Sequence, residues 1–65
     1  METFKKWLHK ATEEEREAAA TQAGTTVSYF WHLSGGHRKA SPELAKKLEL
    51  ATGVPKSEFR PDIWG

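Results

Sequence analysis

Residues 16–33 read REAAATQAGTTVSYFWHL, and the spacing within this stretch decides the fold. Gly24 is its centre, because glycine can adopt the left-handed conformation that ends a helix sharply. The small side chain of Ala20, four residues earlier, lets two helix backbones approach. Phe30 and Leu33, at i and i+3 of the next helix, can then pack back onto the first one. The pattern predicts two helices joined by a three-residue turn.

Two helices are predicted before this turn. Apolar residues between positions 4 and 11 recur at i, i+3, i+4 and i+7, which predicts an amphipathic first helix that Thr3 can cap. Thr12 then opens the second helix, and Glu15 completes a capping box. The apolar positions of the first helix are Phe4, Trp7, Leu8 and Ala11. The small residues expected on the buried side of the second are Ala18, Ala19, Ala20 and Ala23.

Two more helices are predicted after the turn. Thr25 or Thr26 can cap a third helix over residues 27 to about 33, which Ser34 and two glycines end. Residues 37–40 are expected to form a polar loop. The run Ser41-Pro42-Glu43 then starts a fourth helix with a cap, a proline and an acid. Its inward face consists of Leu44, Leu48 and Ala51.

The remaining residues are predicted to form short turns. Gly53 stops the fourth helix, and Pro55 prevents its continuation. Residues 56–59 are expected to make one further helical turn, which Pro61 ends. The residues expected to close the core or to form a dimer contact are Phe59, Ile63 and Trp64.

Size and composition limit the fold class and the function. The 65 residues are expected to form one domain over 1–65, with the small core of a chain that buries about 60% of its unfolded surface. Without cysteine there is no disulfide or thiolate metal site, and the three histidines lack zinc-ligand spacing. The acidic run at 13–17 has no nucleophile beside it, so neither an enzyme nor a cofactor is expected. We expect an all-α domain of four to five short helices.

The charge is distributed unevenly along the chain. The net charge is +1, with +2 over residues 1–11, −3 over residues 12–24 and +2 over residues 25–40. Charge alone does not point to nucleic acid, because phosphate contacts supply most non-specific affinity and demand a stronger positive field. No segment is apolar enough for a signal peptide or a membrane span, so we expect a cytoplasmic protein without a membrane partner.

The third helix offers an outward face. If Phe30 and Leu33 point inward, then Val27, Ser28, Trp31 and His32 lie on or near the opposite side. A recognition helix inserts such a face into the major groove of DNA, mostly through its N-terminal residues.

The sequence resembles the phage-repressor class of helix-turn-helix regulators, which includes lambda-repressor-like, Cro-like and YdaS-type proteins. Three pieces carry the resemblance: AGTTVSYFWHLSGGHRKAS (23–41), SPELAKKLELATGV (41–54) and FRPDIW (59–64). It implies a lambda-repressor-like fold and a Cro-type repressor. Such a protein occupies operator DNA, usually as a homodimer, and blocks transcription without catalysis.

The resemblance also implies which residues contact DNA. Arg16 matches a phosphate-contacting position. Independently of the resemblance, the loop residues Arg38 and Lys39, with His37 beside them, precede the fourth helix and are interpreted as a phosphate clamp, with a merely solubilising loop as the alternative. The third helix has no Gln, Asn or Arg, so thymine-methyl contacts, hydrogen bonds and DNA shape are expected to give specificity. The positions that match base or groove contacts are Thr26, Val27, Ser28, Trp31 and His32.

Two alternatives remain open at this point. Trp31 becomes a core residue if the third helix is rotated, since large exposed aromatic side chains are uncommon. A second function is an antitoxin-like module that binds a partner protein and uses DNA binding for feedback. The acidic second helix and the apolar C-terminal residues favour this second hypothesis.

Overall fold

The computed structural model describes residues 2–65. Side-chain caps set the start of three of its helices. The hydroxyls of Thr12, Thr26 and Ser41 each accept a hydrogen bond from the backbone N–H three residues later, at 3.1, 3.2 and 3.1 Å. The helices are α1 (Glu2–Lys10), α2 (Glu13–Ala23), α3 (Val27–Ser34), α4 (Pro42–Thr52), α5 (Lys56–Phe59) and α6 (Pro61–Trp64). There is no strand within residues 2–65, so the predicted all-α class is confirmed, although these residues form six helices where four to five were expected.

The turn between α2 and α3 follows the predicted chemistry. Gly24 has φ 74° and ψ 32°, the left-handed conformation that glycine adopts without steric cost. The N–H of Thr25 donates to the carbonyl of Ala20 at 2.8 Å and closes the last turn of α2. The predicted capping box at Thr12 is also present, and of the two threonines proposed to cap α3 it is Thr26 that does so.

Phe4 lies at the centre of the core. Its ring meets the rings of Phe59 at 4.9 Å and Phe30 at 5.5 Å, both edge to face, and is stacked with the ring of Trp7 at 6.2 Å. Edge-to-face aromatic pairs add about 0.5–1.5 kcal/mol beyond the area that they bury. The remaining buried side chains are Leu8, Ala19, Ala20, Ala23, Leu33, Ala40, Ala45, Leu48 and Val54.

Several local predictions are wrong in detail. Thr3 lies inside α1 and does not cap it, because the helix already begins at Glu2. Ala18 is exposed, since the buried stripe of α2 consists of Ala19, Ala20 and Ala23. Ala40, expected in a polar loop, is fully buried.

The C-terminal segment also differs from the prediction. The expected turn at Lys56–Phe59 is present, but Pro61 begins α6 where it was expected to end the helical chain. A proline suits the first turn of a helix, because its missing N–H has no partner there anyway. Trp64 packs against the core, whereas Ile63 is 45% exposed and does not close it. Within residues 2–65, no helix has both the length and the apolar character needed to cross a membrane.

Candidate nucleic-acid interface

The exposed face of α3 consists of Ser28, Trp31 and His32. These residues lie at i, i+3 and i+4, so they form one continuous strip along the helix. The opposite side presents Phe30 and Leu33, which are fully buried, as the sequence predicted. We call Ser28, Trp31 and His32 the α3 face.

The N-terminal end of α3 borders a shallow groove against α2. Thr26 is exposed, and its hydroxyl is held as the helix cap, whereas Val27 is half-buried against the core. Val27 is therefore less outward than predicted. Glu17, Thr21, Thr25, Thr26 and Val27 all line this groove.

Trp31 lies at the surface between two other side chains. It is 38% exposed, so the alternative of a rotated α3 with Trp31 in the core is wrong. The ring of His9, on α1, meets it edge to face with 5.5 Å between the ring centroids. The guanidinium carbon of Arg16 lies 5.7 Å from the centroid of the Trp31 ring, within cation–π range. The indole of Trp31 therefore packs against side chains from both α1 and α2.

Arg16 links α2 to the end of α1. Its Nη1 donates to the carbonyl oxygens of Leu8 at 2.7 Å and Ala11 at 2.8 Å. A cation at a helix C-terminus is favourable because the last carbonyls carry partial negative charge. The structure thus gives Arg16 a role in helix packing that the sequence had not suggested, and its predicted contact with phosphate stays a prediction.

The loop after α3 brings His37 back beside the α3 face. Gly36, with φ 80°, turns the chain, and the N–H of His37 donates to the carbonyl of His32 at 3.0 Å. The imidazole rings of His32 and His37 lie edge to face, with their centroids 6.3 Å apart. Arg38 and Lys39 follow, both exposed. Their contacts with phosphate are likewise still a prediction.

The same loop is anchored from its other side by the C-terminal segment. Nη1 of Arg60 donates to the carbonyl of Ala40 at 3.1 Å. The Nε and Nη2 groups of Arg60 donate to the two carboxylate oxygens of Asp62 at 3.0 and 2.8 Å. This hydrogen-bonded pair, chiefly, lowers the pKa of Asp62 to about 2. Asp62 Oδ2 also lies 3.9 Å from Nζ of Lys39, so the same carboxylate sits beside one of the predicted phosphate contacts.

Sequence reasoning missed three residues of this region: His9, Arg60 and Asp62. The sequence does place His9 on the same face of α1 as Lys5, one helical turn earlier. Nothing in the sequence showed that α1 would lie beside Trp31. Arg60 and Asp62 reach their partners only after the chain has folded. Among residues 2–65, no group of three or more His, Asp or Glu could hold a metal ion.

Comparison with known proteins gives one informative match. The chain is 39% identical over 63 residues to a prophage transcriptional regulatory protein of Escherichia coli (strain K12). The match covers 94% of this chain and 96% of that protein. No family model matches the chain, and no solved structure does.

Proposed function

The chain belongs to the same family as that prophage transcriptional regulatory protein, and is thus a phage-type transcriptional regulator; from this premise we propose that it is a sequence-specific, Cro-like DNA-binding repressor. In this proposal the whole chain, residues 1–65, is one helix-turn-helix DNA-binding domain. It acts by occupying operator DNA and excluding the transcription machinery, and it performs no catalysis.

The observation that carries the proposal is the exposure of the α3 face on a firmly held helix. Phe30 and Leu33 fix α3 to the core, and the Gly24 turn fixes its angle to α2. Ser28 and His32 then present hydrogen-bonding groups to solvent, with an indole between them. A helix that presents polar and apolar groups on one rigid exposed strip suits the major groove, where both hydrogen-bonding edges and thymine methyls can be read.

We assign the contacts in two classes. Base or groove contacts come from the start of α3 and the α3 face, and contacts with the phosphate backbone come from α2 and from the loop after α3. The proposed base or groove contacts are Thr26, Val27, Ser28, Trp31 and His32. The proposed backbone contacts are Arg16, His37, Arg38 and Lys39.

A homodimer on DNA completes the proposal. Two copies related by a twofold axis would place two α3 helices one helical turn of DNA apart, about 34–36 Å. The operator is then expected to be a palindrome with half-sites at that spacing.

Selection of duplex DNA from a random pool at near-physiological salt tests this function. Enrichment of a palindromic sequence is the expected result. On that sequence, Ser28→Ala and His32→Ala should each change the affinity ratio between the preferred base and the other bases at one position by about fivefold or more. The fold of both variants should stay intact. Lys47→Ala, on the exposed side of α4, is the matched control and should keep the wild-type preference. If both α3 variants also keep it, the α3 face does not read DNA.

A protein-binding role is the second candidate, and exposed apolar side chains favour it. Leu50 is 79% exposed on α4 and Ile63 is 45% exposed on α6, although large apolar side chains are usually buried. An antitoxin-like module would use such residues to hold a partner protein. Failure of the selection to enrich any sequence, together with co-purification of the product of a neighbouring gene, would favour this function over the repressor.

A further inference from the structure

The side of α1 that borders the α3 face is basic. Lys5 and His9 lie at i and i+4 and are both exposed, so they form a single strip, which we call the α1 flank. The His9 ring meets the Trp31 ring at 5.5 Å, so the α1 flank adjoins the α3 face at His9. Lys6 and Lys10 lie next to this strip on the same helix, against a single acid, Glu2.

The N-terminal turn of α2 has the opposite charge. Glu13, Glu14 and Glu17 are exposed there and line a common surface with Thr12. The Thr12 cap and Glu15 already occupy two of the backbone N–H groups that could otherwise bind an anion. A phosphate that approached this turn would meet several carboxylates at close range, where like charges repel most strongly.

Arg16 does not reverse this balance. It is the one cation among residues 12–24, and its Nη1 is engaged by the carbonyls at the end of α1. Apart from Arg16, whose guanidinium lies over the Trp31 ring, the exposed basic side chains next to the α3 face on that side of the molecule come from α1.

From this arrangement we propose that Lys5 and His9 also hold the DNA backbone that runs beside α3, where the carboxylates Glu13, Glu14 and Glu17 on the N-terminal turn of α2 would repel it. Lys5 supplies a point charge to a phosphate, and His9 supplies a ring N–H that Trp31 orients. This inference rests on the proposed function, because it describes how the same DNA duplex is gripped. The phosphates of the DNA strand beside the major groove would then be bound by Lys5 and His9.

The test measures how DNA affinity depends on salt concentration. Each phosphate contact releases counterions, so its loss should make the slope of log K against log salt shallower by about 0.9. Lys5→Ala and Lys5→Gln should both show that change, and should weaken the selected operator and an unrelated duplex by the same factor. Lys47→Ala removes the same charge from α4 and should leave the slope nearly unchanged.

A second variant separates contact from packing at His9. His9→Phe keeps an aromatic edge against Trp31 and removes the ring N–H, and it should weaken both duplexes about two- to tenfold. Thermal unfolding of the same variant should match the wild type.

The outcomes distinguish this inference from the function on which it rests. If the wild type binds no duplex, the repressor function and this inference both fail. If the wild type binds and Lys5→Ala behaves like Lys47→Ala, the function stands and the α1 flank is not a backbone contact. A loss confined to one operator sequence would equally overturn the inference, since a phosphate contact carries no sequence information.

Discussion

The turn between α2 and α3 and the C-terminal segment of residues 56–64 both fix the position of other helices, but they do so with different forces. In the turn, the partners are close in sequence and uncharged. Gly24 reverses the chain, Thr25 bonds to Ala20, and Phe30 packs behind them. Backbone geometry and apolar packing are sufficient there.

The C-terminal segment depends on charged side chains that reach far along the chain. Oε2 of Glu58 accepts the N–H of Phe4, 54 residues away, at 2.7 Å and so caps the first turn of α1. Arg60 reaches Ala40, 20 residues away, and is itself held by Asp62. Glu49 accepts the N–H of Lys56 at 2.9 Å and ties α5 to α4.

Because of this difference, we expect the two regions to respond differently to pH and salt. The turn at Gly24 and the packing of Phe30 and Leu33, which position α3, involve no titratable side chain. The loop at 37–40 is anchored by Arg60, which is paired with Asp62, and this pair lowers the pKa of Asp62 to about 2. Stability changes with pH are therefore expected to originate in the C-terminal segment, while the angle between α2 and α3 stays fixed.

The largest expected effect is that of Glu58→Ala. It removes a charge-assisted hydrogen bond to the start of α1 from a partly buried site, and such bonds contribute about 1.5–3 kcal/mol. Chemical denaturation followed by circular dichroism measures the loss. For a domain of this size, that is a large part of the free energy of unfolding.

The control for Glu58→Ala is Glu17→Ala, which removes an exposed carboxylate that caps no other helix. It should change the free energy of unfolding by no more than about 0.5 kcal/mol. Equal effects of the two substitutions would show that Glu58 does not hold α1, and the contrast between the two regions would lose its main support.

A smaller effect is expected for Gly24→Ala. The left-handed conformation costs a residue with a Cβ about 1–2 kcal/mol, and no atom within 4 Å of the added methyl would contribute a clash. Gly24→Asn should cost less, because asparagine tolerates this conformation. Denaturation at low and high salt should give the same loss for each variant. A loss that depended on salt would mean that the turn is not governed by backbone geometry alone.

The difference between the α2–α3 turn and the C-terminal segment also explains which features could be predicted from the sequence. The caps at Thr12, Thr26 and Ser41 and the apolar spacing around Gly24 are local signals, and each of them predicted the observed structure. The exposure of Ser28 and His32 followed from that spacing. Local rules were wrong at Thr3, which lies inside α1, and at Pro61, which begins a helix. They also misplaced Ala18, because the buried stripe of α2 faces the partner helix α4.

The rest depends on contacts that no local pattern encodes. Glu58 looks like an ordinary acid in a short helical turn until Phe4 is placed against it. Ala40 has the sequence context of a loop, yet Arg60 holds its carbonyl and the core covers its side chain. The neighbour relation between His9 and Trp31 arises in the same way, because it requires α1 to pack against α3.

The smallest effect at neutral pH is expected for Asp62→Asn, and its value lies in its pH dependence. Asp62 is exposed and paired with Arg60, and its pKa is lowered from 3.8 to about 2. A carboxyl whose pKa is lower in the folded chain stabilises the fold fully above its ordinary pKa. That contribution is lost as the pH falls from about 4 through about 2.

Thermal unfolding of the wild type and Asp62→Asn at pH 6, 4, 3 and 2 tests this. The difference between the two proteins should stay constant down to pH 4 and then shrink, because the protonated Asp62 of the wild type no longer pairs with Arg60. Gly24→Ala provides the counterpart: its difference from the wild type should be the same at pH 6 and pH 2, since no titrating group holds the turn. If the Asp62 difference is as independent of pH as that of Gly24, the pair with Arg60 does not stabilise the C-terminal segment.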